Sequence, residues 1–220
     1  MDALLHPLVE SVRKKSRVTG IRRCENGVQL KVNDGPAEDF DAVVLATHAP
    51  QSLKMLANPT KLEKEVLGKF HYQSNQAYVH LDTSQLPKRP RAWASWNYRL
   101  SADLSRSAAV TYDLSRLQGH HTHTPILQTL NPNRVIDSKT VLAELKFEHP
   151  LFTTETFASQ QKHDQLNQDR KLLYCGAYWR FGFHEDGVLS ALNVCKHFDI
   201  DLENLAQPCI AASTKVASNT

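Results

Sequence analysis

Hydrophobic and polar positions change rhythm twice along the chain. Up to residue 50 the segments are short: Arg17 to Cys24 and Val28 to Val32 flank the turn Glu25-Asn26-Gly27, and after Asn33-Asp34-Gly35-Pro36 the chain enters an apolar run from Phe40 to Ala46. Alternation of period two predicts half-buried strands joined by a hairpin turn, and an uninterrupted apolar run predicts a strand covered on both faces, as parallel strands are. The pattern is thus a β-meander feeding a buried parallel strand, preceded by the end of a helix over Leu4 to Lys15. Helical patterning takes over from Pro50 to Leu56, with proline in the first turn, and again over Lys61 to Lys69 after Asn58-Pro59.

From Tyr72 the rhythm returns to strands in QAYVHLD (76–82), RAWASWNYRL (91–100) and SAAVTYDLS (107–115), whose aromatic, alternating character suits one wet and one packed face. A helix is expected over Thr154 to Asn167, then a short buried strand at Leu172 to Cys175. Tyr174 to Ser190, YCGAYWRFGFHEDGVLS, is the densest stretch of signals: strand, glycine-jointed aromatic turn, acidic pair, helix start. Val188, Leu189, Leu192, Cys195 and His197 or Phe198 recur at helical spacing. A helix opening beside a glycine turn offers free N–H groups and a positive dipole end to an electron-rich ligand.

Composition narrows the function classes. With 41% hydrophobic and 22% charged residues in 220, the chain is an ordinary globular one with enough length for one or two domains. Its net charge of +3 is scattered apart from RKKSR at 13–17 and KRPR at 88–91, so no nucleic-acid partner is expected. No apolar run reaches the roughly 20 residues of a membrane span, and the start lacks the order of a secretion signal, which makes a cytoplasmic protein the expectation. Cys24, Cys175, Cys195 and Cys209 stand far apart, as reduced thiols do. His120, His121 and His123 have the residue type of a metal site but no neighbouring carboxylate, and a solvated loop is the expectation there. His184-Glu185-Asp186 is not H-E-x-x-H, since position 188 is valine. No nucleophile–base arrangement is legible.

RVTGIRR (17–23), FDAVVLATHAPQSL (40–53), RAWASWNY (91–98), AVTYDLSRLQ (109–118), TLNP (129–132), HPLF (149–152) and GFHEDGVLS (182–190) together resemble the carboxyl-terminal part of flavin-containing amine oxidase-like oxidoreductases. The similarity is greatest to the NAD/FAD-binding subgroup related to the flavoprotein domain fused to plant cyclopropane fatty-acid synthases. No G-x-G-x-x-G follows a strand, and only 8 glycines are present. The resemblance therefore implies an α+β to α/β fold: a partial, Rossmann-like FAD-binding domain without its first βαβ unit, carrying an inserted mixed β-sheet substrate domain. The implied divisions are 1–50 for the meander and buried strand, 51–147 for the substrate sheet, 148–205 for the return to the FAD domain, and 206–220 for a disordered tail.

The resemblance also implies roles. Val18 would meet the adenine through its backbone; Ala46 and Thr47 would lie along FAD; Gly176, Glu185, Asp186, Gly187 and Val188 would form the turn that closes on the flavin; Trp93, Trp96 and Tyr98 would belong to the substrate pocket. The chemistry would be hydride transfer from an amine or acyl-lipid substrate to the flavin, with a slight lean to lipid, and a catalytically silent remnant or binding module is the alternative. Two departures matter: Ala177 stands where many relatives carry an acid, and Ser190-Ala191 where glycine is usual. Without a phosphate cradle, these 220 residues are expected to bind FAD weakly or not at all. The partners expected are a small-molecule or lipid substrate, peripheral membrane contact, and self-association through exposed sheet edges.

Overall fold

The computed structural model describes residues 6–100, 108–120 and 122–200, so the expected disordered tail at 206–220 and His121 lie outside the described residues. In chain order the strands and helices are β1 (Val18–Cys24), β2 (Gly27–Val32), β3 (Ala37–Phe40), β4 (Val43–Leu45), α1 (Ala49–Met55), α2 (Lys61–Leu67), β5 (His71–His80), β6 (Trp96–Arg99), β7 (Ala109–Asp113), α3 (Leu114–Leu117), β8 (Leu127–Leu130), β9 (Val141–Leu151), α4 (Thr154–Gln160), α5 (His163–Leu166), β10 (Leu172–Tyr174) and α6 (His184–Cys195). Among the described residues they form a mixed α+β fold of two compact units, one made of those up to His71 together with those from Leu151 onward, the other of those from Tyr72 to Pro150.

In the first unit β1, β2 and β3 make the antiparallel meander, and β4 pairs with β10 in parallel. The apolar run expected to enter one strand at Phe40 is divided. Phe40 pairs with Val28 as the end of β3, a bend at Asp41 interrupts the run, and the parallel strand begins at Val43. Nor is that strand covered throughout, because Val44 is 45% exposed. The long helix expected over Thr154 to Asn167 is likewise broken into α4 and α5 at Gln161-Lys162, and the expected helix at Leu4 to Lys15 is a 3-10 turn over His6–Ser11.

One buried carboxylate joins three of these pieces. Thr60 caps α2: its side chain accepts from the Glu63 N–H at 3.2 Å, and Glu63 Oε2 accepts from the Thr60 N–H at 2.7 Å. The same carboxylate receives Arg23 of β1 at 2.5 Å and the hydroxyl of Tyr174 of β10, while Arg23 also reaches Asp169 at 2.6 Å. Burial alone would raise the Glu63 carboxyl, but the bonds from Arg23, Tyr174 and Thr60 outweigh it and hold it below the usual carboxylate range. Burial and the Glu63 bond push the Tyr174 phenol up.

The outer edge of β10 is closed by side chains. Tyr174 N–H donates to Asn167 Oδ1 at 2.7 Å, while its carbonyl accepts from Asn167 Nδ2 at 3.2 Å and His163 Nε2 at 2.7 Å. The left-handed backbone of Arg170, φ 55°, turns the chain from α5 into that strand.

The second unit is one sheet in the order β6-β7-β8-β5-β9. Residues directly opposite across a ladder share a face. One face therefore carries Asn97, Thr111 and Thr129, with His80 and Asp113 in alternate rows; all are buried. His80 Nδ1 accepts from the Asp82 N–H at 3.1 Å, which leaves the proton on Nε2, where it is donated to Thr129 Oγ1 at 2.8 Å; Thr129 is in turn 2.9 Å from Thr111 Oγ1. The opposite face carries Trp96, Tyr112, Gln128 and Val79 in one row, and Tyr98, Val110, Leu130 and Ala77 in the next.

Burial lowers the pKa of both His80 and His163, so each is neutral in the fold. The unfolded chain takes up protons at these groups as pH drops through about 6.5 and the folded chain does not, so stability falls with decreasing pH from that point. Glu63 adds a second loss below about pH 4.3. Urea midpoints across this range are expected to trace that decline; a flat profile through pH 6.5 would contradict the neutral, bonded imidazoles.

Candidate functional site

Two structures in the first unit carry the expected cofactor residues. The first is an open cleft of about 780 Å³ between β1 and the β4–α1 connection. Val18 lines it from β1, and Ala46 and Thr47 from the residues after β4; its floor is apolar with Ile21, Leu30 and Met55, while Arg17 and Lys54 supply positive charge. β4 ends here because Pro50 starts a helix, and the Thr47 hydroxyl is fixed 2.9 Å from Ser52 Oγ in the first turns of α1. An elongated ligand with an apolar ring and an anionic portion fits such a wall.

The second is the turn between β10 and α6. Gly176 has φ 149°, and a Cβ there would lie 2.6 Å from the Tyr178 ring, so the position requires glycine. Its N–H donates to Ser190 Oγ at 2.8 Å, and Ser190 Oγ donates to the Gly187 carbonyl at 2.8 Å. Ser190, one of the two residues that stand where glycine is usual, is the bolt between the turn and the first turn of α6. A Cβ on Gly187 would meet only ordinary contacts, 3.9 Å from Ala177, so the helix start is close to the turn but not jammed against it.

The acidic pair divides its work. Asp186 is buried; its Oδ2 accepts from the Phe183 N–H at 2.9 Å and the Phe181 N–H at 3.1 Å, and Arg180 approaches at 3.5 Å. That carboxylate holds the loop and the helix start in place, with Oδ2 turned to the protein's own backbone and Oδ1 toward Arg180. Glu185 is exposed on the first turn, beside exposed Phe183 and Val188. The N–H groups of His184 and Glu185 precede the first intrahelical bonds, which run from Asp186 and Gly187 to the Phe183 carbonyl.

The three aromatic residues expected in a substrate pocket do not share one location in the sheet unit. Trp96 and Tyr98 stand on the same face of β6, 50% and 68% exposed, and Trp96 meets Tyr112 edge-on at 5.5 Å. Trp93 precedes that strand in a loop, its indole N–H donating to the Pro87 carbonyl at 2.8 Å.

The residues that position the candidate site were not singled out in the sequence. Arg23, Glu63 and Tyr174 lie far apart in sequence; only the T-x-x-E of Thr60 and Glu63, a capping-box pattern, was a readable signal. Trp179 stacks on His163 with ring centroids 4.3 Å apart and packs on Phe70 at 5.1 Å, extending the support beneath the turn. Among the described residues no group of three or more His, Cys, Asp and Glu could hold a metal ion, and His120 is bonded to Gln118 at 3.0 Å. No helix among them is long and apolar enough to cross a membrane.

No curated protein sequence matches the chain. Among solved structures, a CLA-producing fatty acid isomerase from P. acnes superposes with a TM-score of 0.57 at 15% identity over 84% of this chain and 48% of its own. Reduced UDP-galactopyranose mutase gives 0.55 at 11% over 84% and 46%, and a redesigned putrescine oxidase 0.53 at 10% over 90% and 52%. At such identities the likeness establishes the fold alone: that of FAD-dependent oxidoreductase domains, of whose chains this one spans about half. In sequence, the profile of the flavin containing amine oxidoreductases matches residues 1–129. More than half of the chain is thereby accounted for, and the protein belongs to the flavin containing amine oxidoreductase family.

Proposed function

We propose that this chain is the carboxyl-terminal part of an FAD-dependent oxidoreductase that acts on an acyl-lipid substrate, supplying the cofactor's closing turn and the substrate sheet. The cleft of about 780 Å³ carries the cofactor half of this reading. Its wall at Val18, Ala46 and Thr47 would hold the adenosine portion, with Arg17 and Lys54 near the phosphates. Gly176 and the helix start at Glu185, Asp186, Gly187 and Val188 would hold the flavin edge, backbone N–H groups facing its carbonyl oxygens. When bound, the flavin supplies the hydride acceptor. The protein's own contribution is positional: Ser190 and Asp186 fix the turn, and no side-chain nucleophile is needed.

The lean to lipid rests on the sheet face of Trp96, Tyr98, Val110, Tyr112, Gln128 and Leu130, which offers aromatic and aliphatic surface without a charged side chain in its β6, β7 and β8 rows. A protonated amine needs a carboxylate or a closed aromatic cage, and an acyl chain needs neither. Neighbours named as a fatty acid isomerase and a putrescine oxidase share the fold, so the fold does not choose between the two. The sequence resemblance to the flavoprotein domain fused to plant cyclopropane fatty-acid synthases supports lipid. A cytoplasmic enzyme touching membranes from one side, with no nucleic-acid partner, completes the reading.

Titrating the labelled chain with FAD, AMP and FMN while following amide shifts tests the cofactor assignment. FAD is expected to move Val18, Thr47, Gly187 and Val188, AMP only the first two and FMN only the last two, with all binding lost on desalting. Silence at every one of these amides would leave the binding-module reading instead.

The substrate assignment is open to fluorescence. Oleate is expected to shift Trp96 emission to the blue, an effect lost in Trp96→Phe, while putrescine leaves it unchanged. A response to putrescine and none to oleate would reverse the assignment.

A further inference from the structure

One end of the sheet unit is a rim of three segments that hydrogen bonds tie together. Arg99, the last residue of β6, donates from its guanidinium to the carbonyls of Ser84 at 3.2 Å and Gln85 at 2.7 Å. Gln85 Nε2 donates to the Val135 carbonyl at 3.1 Å, and Asn133 Nδ2 returns to the Arg99 carbonyl at 3.4 Å. Asp82 Oδ2 accepts from the Asp137 N–H at 3.0 Å. The loop at 82–93, the end of β6 and the loop at 131–140 are thus held together, and they share no residue with the cleft at Val18 and Thr47. The rim is made of loops closed by their own bonds. Val135 stands on one of them, 92% exposed, and Leu100, just past β6, is 78% exposed. In the same segments Lys88, Arg89, Arg91, Arg134 and Lys139 are exposed, and none is paired with a carboxylate among the described residues. The two acids there, Asp82 and Asp137, are turned to the N–H groups of Ser84, Asp137 and Lys139. Arg99 has carbonyls for partners, and burial, then the nearby charge of Arg134, lowers its pKa. Cations are gathered at this rim with no acid set against them.

We propose that this rim docks on an anionic lipid bilayer, with Val135 and Leu100 entering the acyl boundary and the five exposed cations lying against the headgroup phosphates. A lone exposed aliphatic residue is ordinary, but two such residues on a rim dense in unpaired lysine and arginine combine the two attractions that hold a protein at a membrane interface. Lysine and arginine stems are long enough to keep their charges among the headgroups while the apolar side chains go deeper. A polynucleotide would use the cations and leave Val135 and Leu100 in water; a bilayer uses both. The inference deepens the acyl-lipid reading and rests on it for its purpose. Leu100 follows Tyr98 by two residues, so the rim leads onto the face of Trp96 and Tyr98 to which the substrate is assigned.

Co-sedimentation with vesicles of phosphatidylcholine and phosphatidylglycerol in equal parts is expected to show binding that weakens at least about tenfold on phosphatidylcholine alone, and that fades as added salt shortens the screening length. Val135→Asn removes the apolar tip without adding charge and is expected to weaken binding about tenfold, with the thermal melt unchanged because the side chain packs on almost nothing. Arg89→Glu with Arg91→Glu is expected to weaken it by at least about the same factor. Lys14→Glu with Lys15→Glu, in the chain's other basic run, is expected to leave it as it was. No binding to the mixed vesicles, equal binding to neutral ones, full affinity in Val135→Asn, an equal loss in the Lys14 and Lys15 variant, or tighter binding to a single-stranded oligonucleotide than to the vesicles would overturn the proposal. Vesicle binding is read without turnover, so the two readings fail separately. A chain that binds mixed vesicles while Trp96 ignores oleate keeps the surface and loses the acyl-lipid substrate; one whose Trp96 responds to oleate but which does not sediment with vesicles keeps the substrate and loses the surface.

Discussion

Glu63 is the group on which the arrangement of the first unit depends. A carboxylate with its side chain 2% exposed is costly to bury unless its oxygens are filled, and here they receive the Thr60 N–H, two nitrogens of Arg23 and the Tyr174 hydroxyl. Each donor comes from a different piece of chain: the start of α2, the meander and the closing parallel strand. Satisfying that one acceptor sets where β1 and β10 stand relative to α2. Those are the elements that lead to the cleft at Val18 and to the turn at Gly176. Asp169 extends the constraint by fixing the other side of Arg23, just before the left-handed turn at Arg170.

From that anchor the geometry runs outward to the candidate site. Tyr174 is held at its hydroxyl by Glu63 and at its backbone by Asn167 and His163, so β10 enters the turn with no freedom at its last residue. Gly176 then takes a backbone conformation only glycine accepts readily, Ser190 ties its N–H to the carbonyl of Gly187, and Asp186 gathers the loop behind it. The start of α6 then presents the N–H groups of His184 and Glu185 ahead of its first intrahelical bonds.

How much of this was readable from sequence follows from the range of each interaction. Strands announced by two-residue alternation and Asn-Gly or Asp-Gly turns appear where expected, at Val18–Cys24 and Gly27–Val32, because hairpin pairing is local. The Pro50 helix, the Thr60 capping box and the Gly176 turn are local too. Phe40 was assigned to the wrong strand because apolar content alone does not show which partner a residue will pair with; its partner, Val28, was settled by the meander register. The aromatic cluster at 93–98 shows the same limit. Spacing could not tell that Trp93 leaves the strand and anchors to Pro87 while Trp96 and Tyr98 continue on one face. The Arg23–Glu63–Tyr174 cluster was invisible, since 40 and 111 residues separate Glu63 from its two side-chain partners.

A double-mutant cycle on Glu63→Gln and Tyr174→Phe, measured by urea unfolding, tests most directly whether that cluster is the anchor. Removing the buried charge is expected to cost about 3–5 kcal/mol by breaking the buried half of the Arg23 pairing and leaving Arg23 to Asp169 alone, and removing the hydroxyl about 1.5–3 kcal/mol, as for a hydrogen bond to a charged group. The account requires the two losses to overlap by at least about 1 kcal/mol, as they do for groups sharing one network. Losses that add to within about 0.5 kcal/mol would show two independent sites and contradict it.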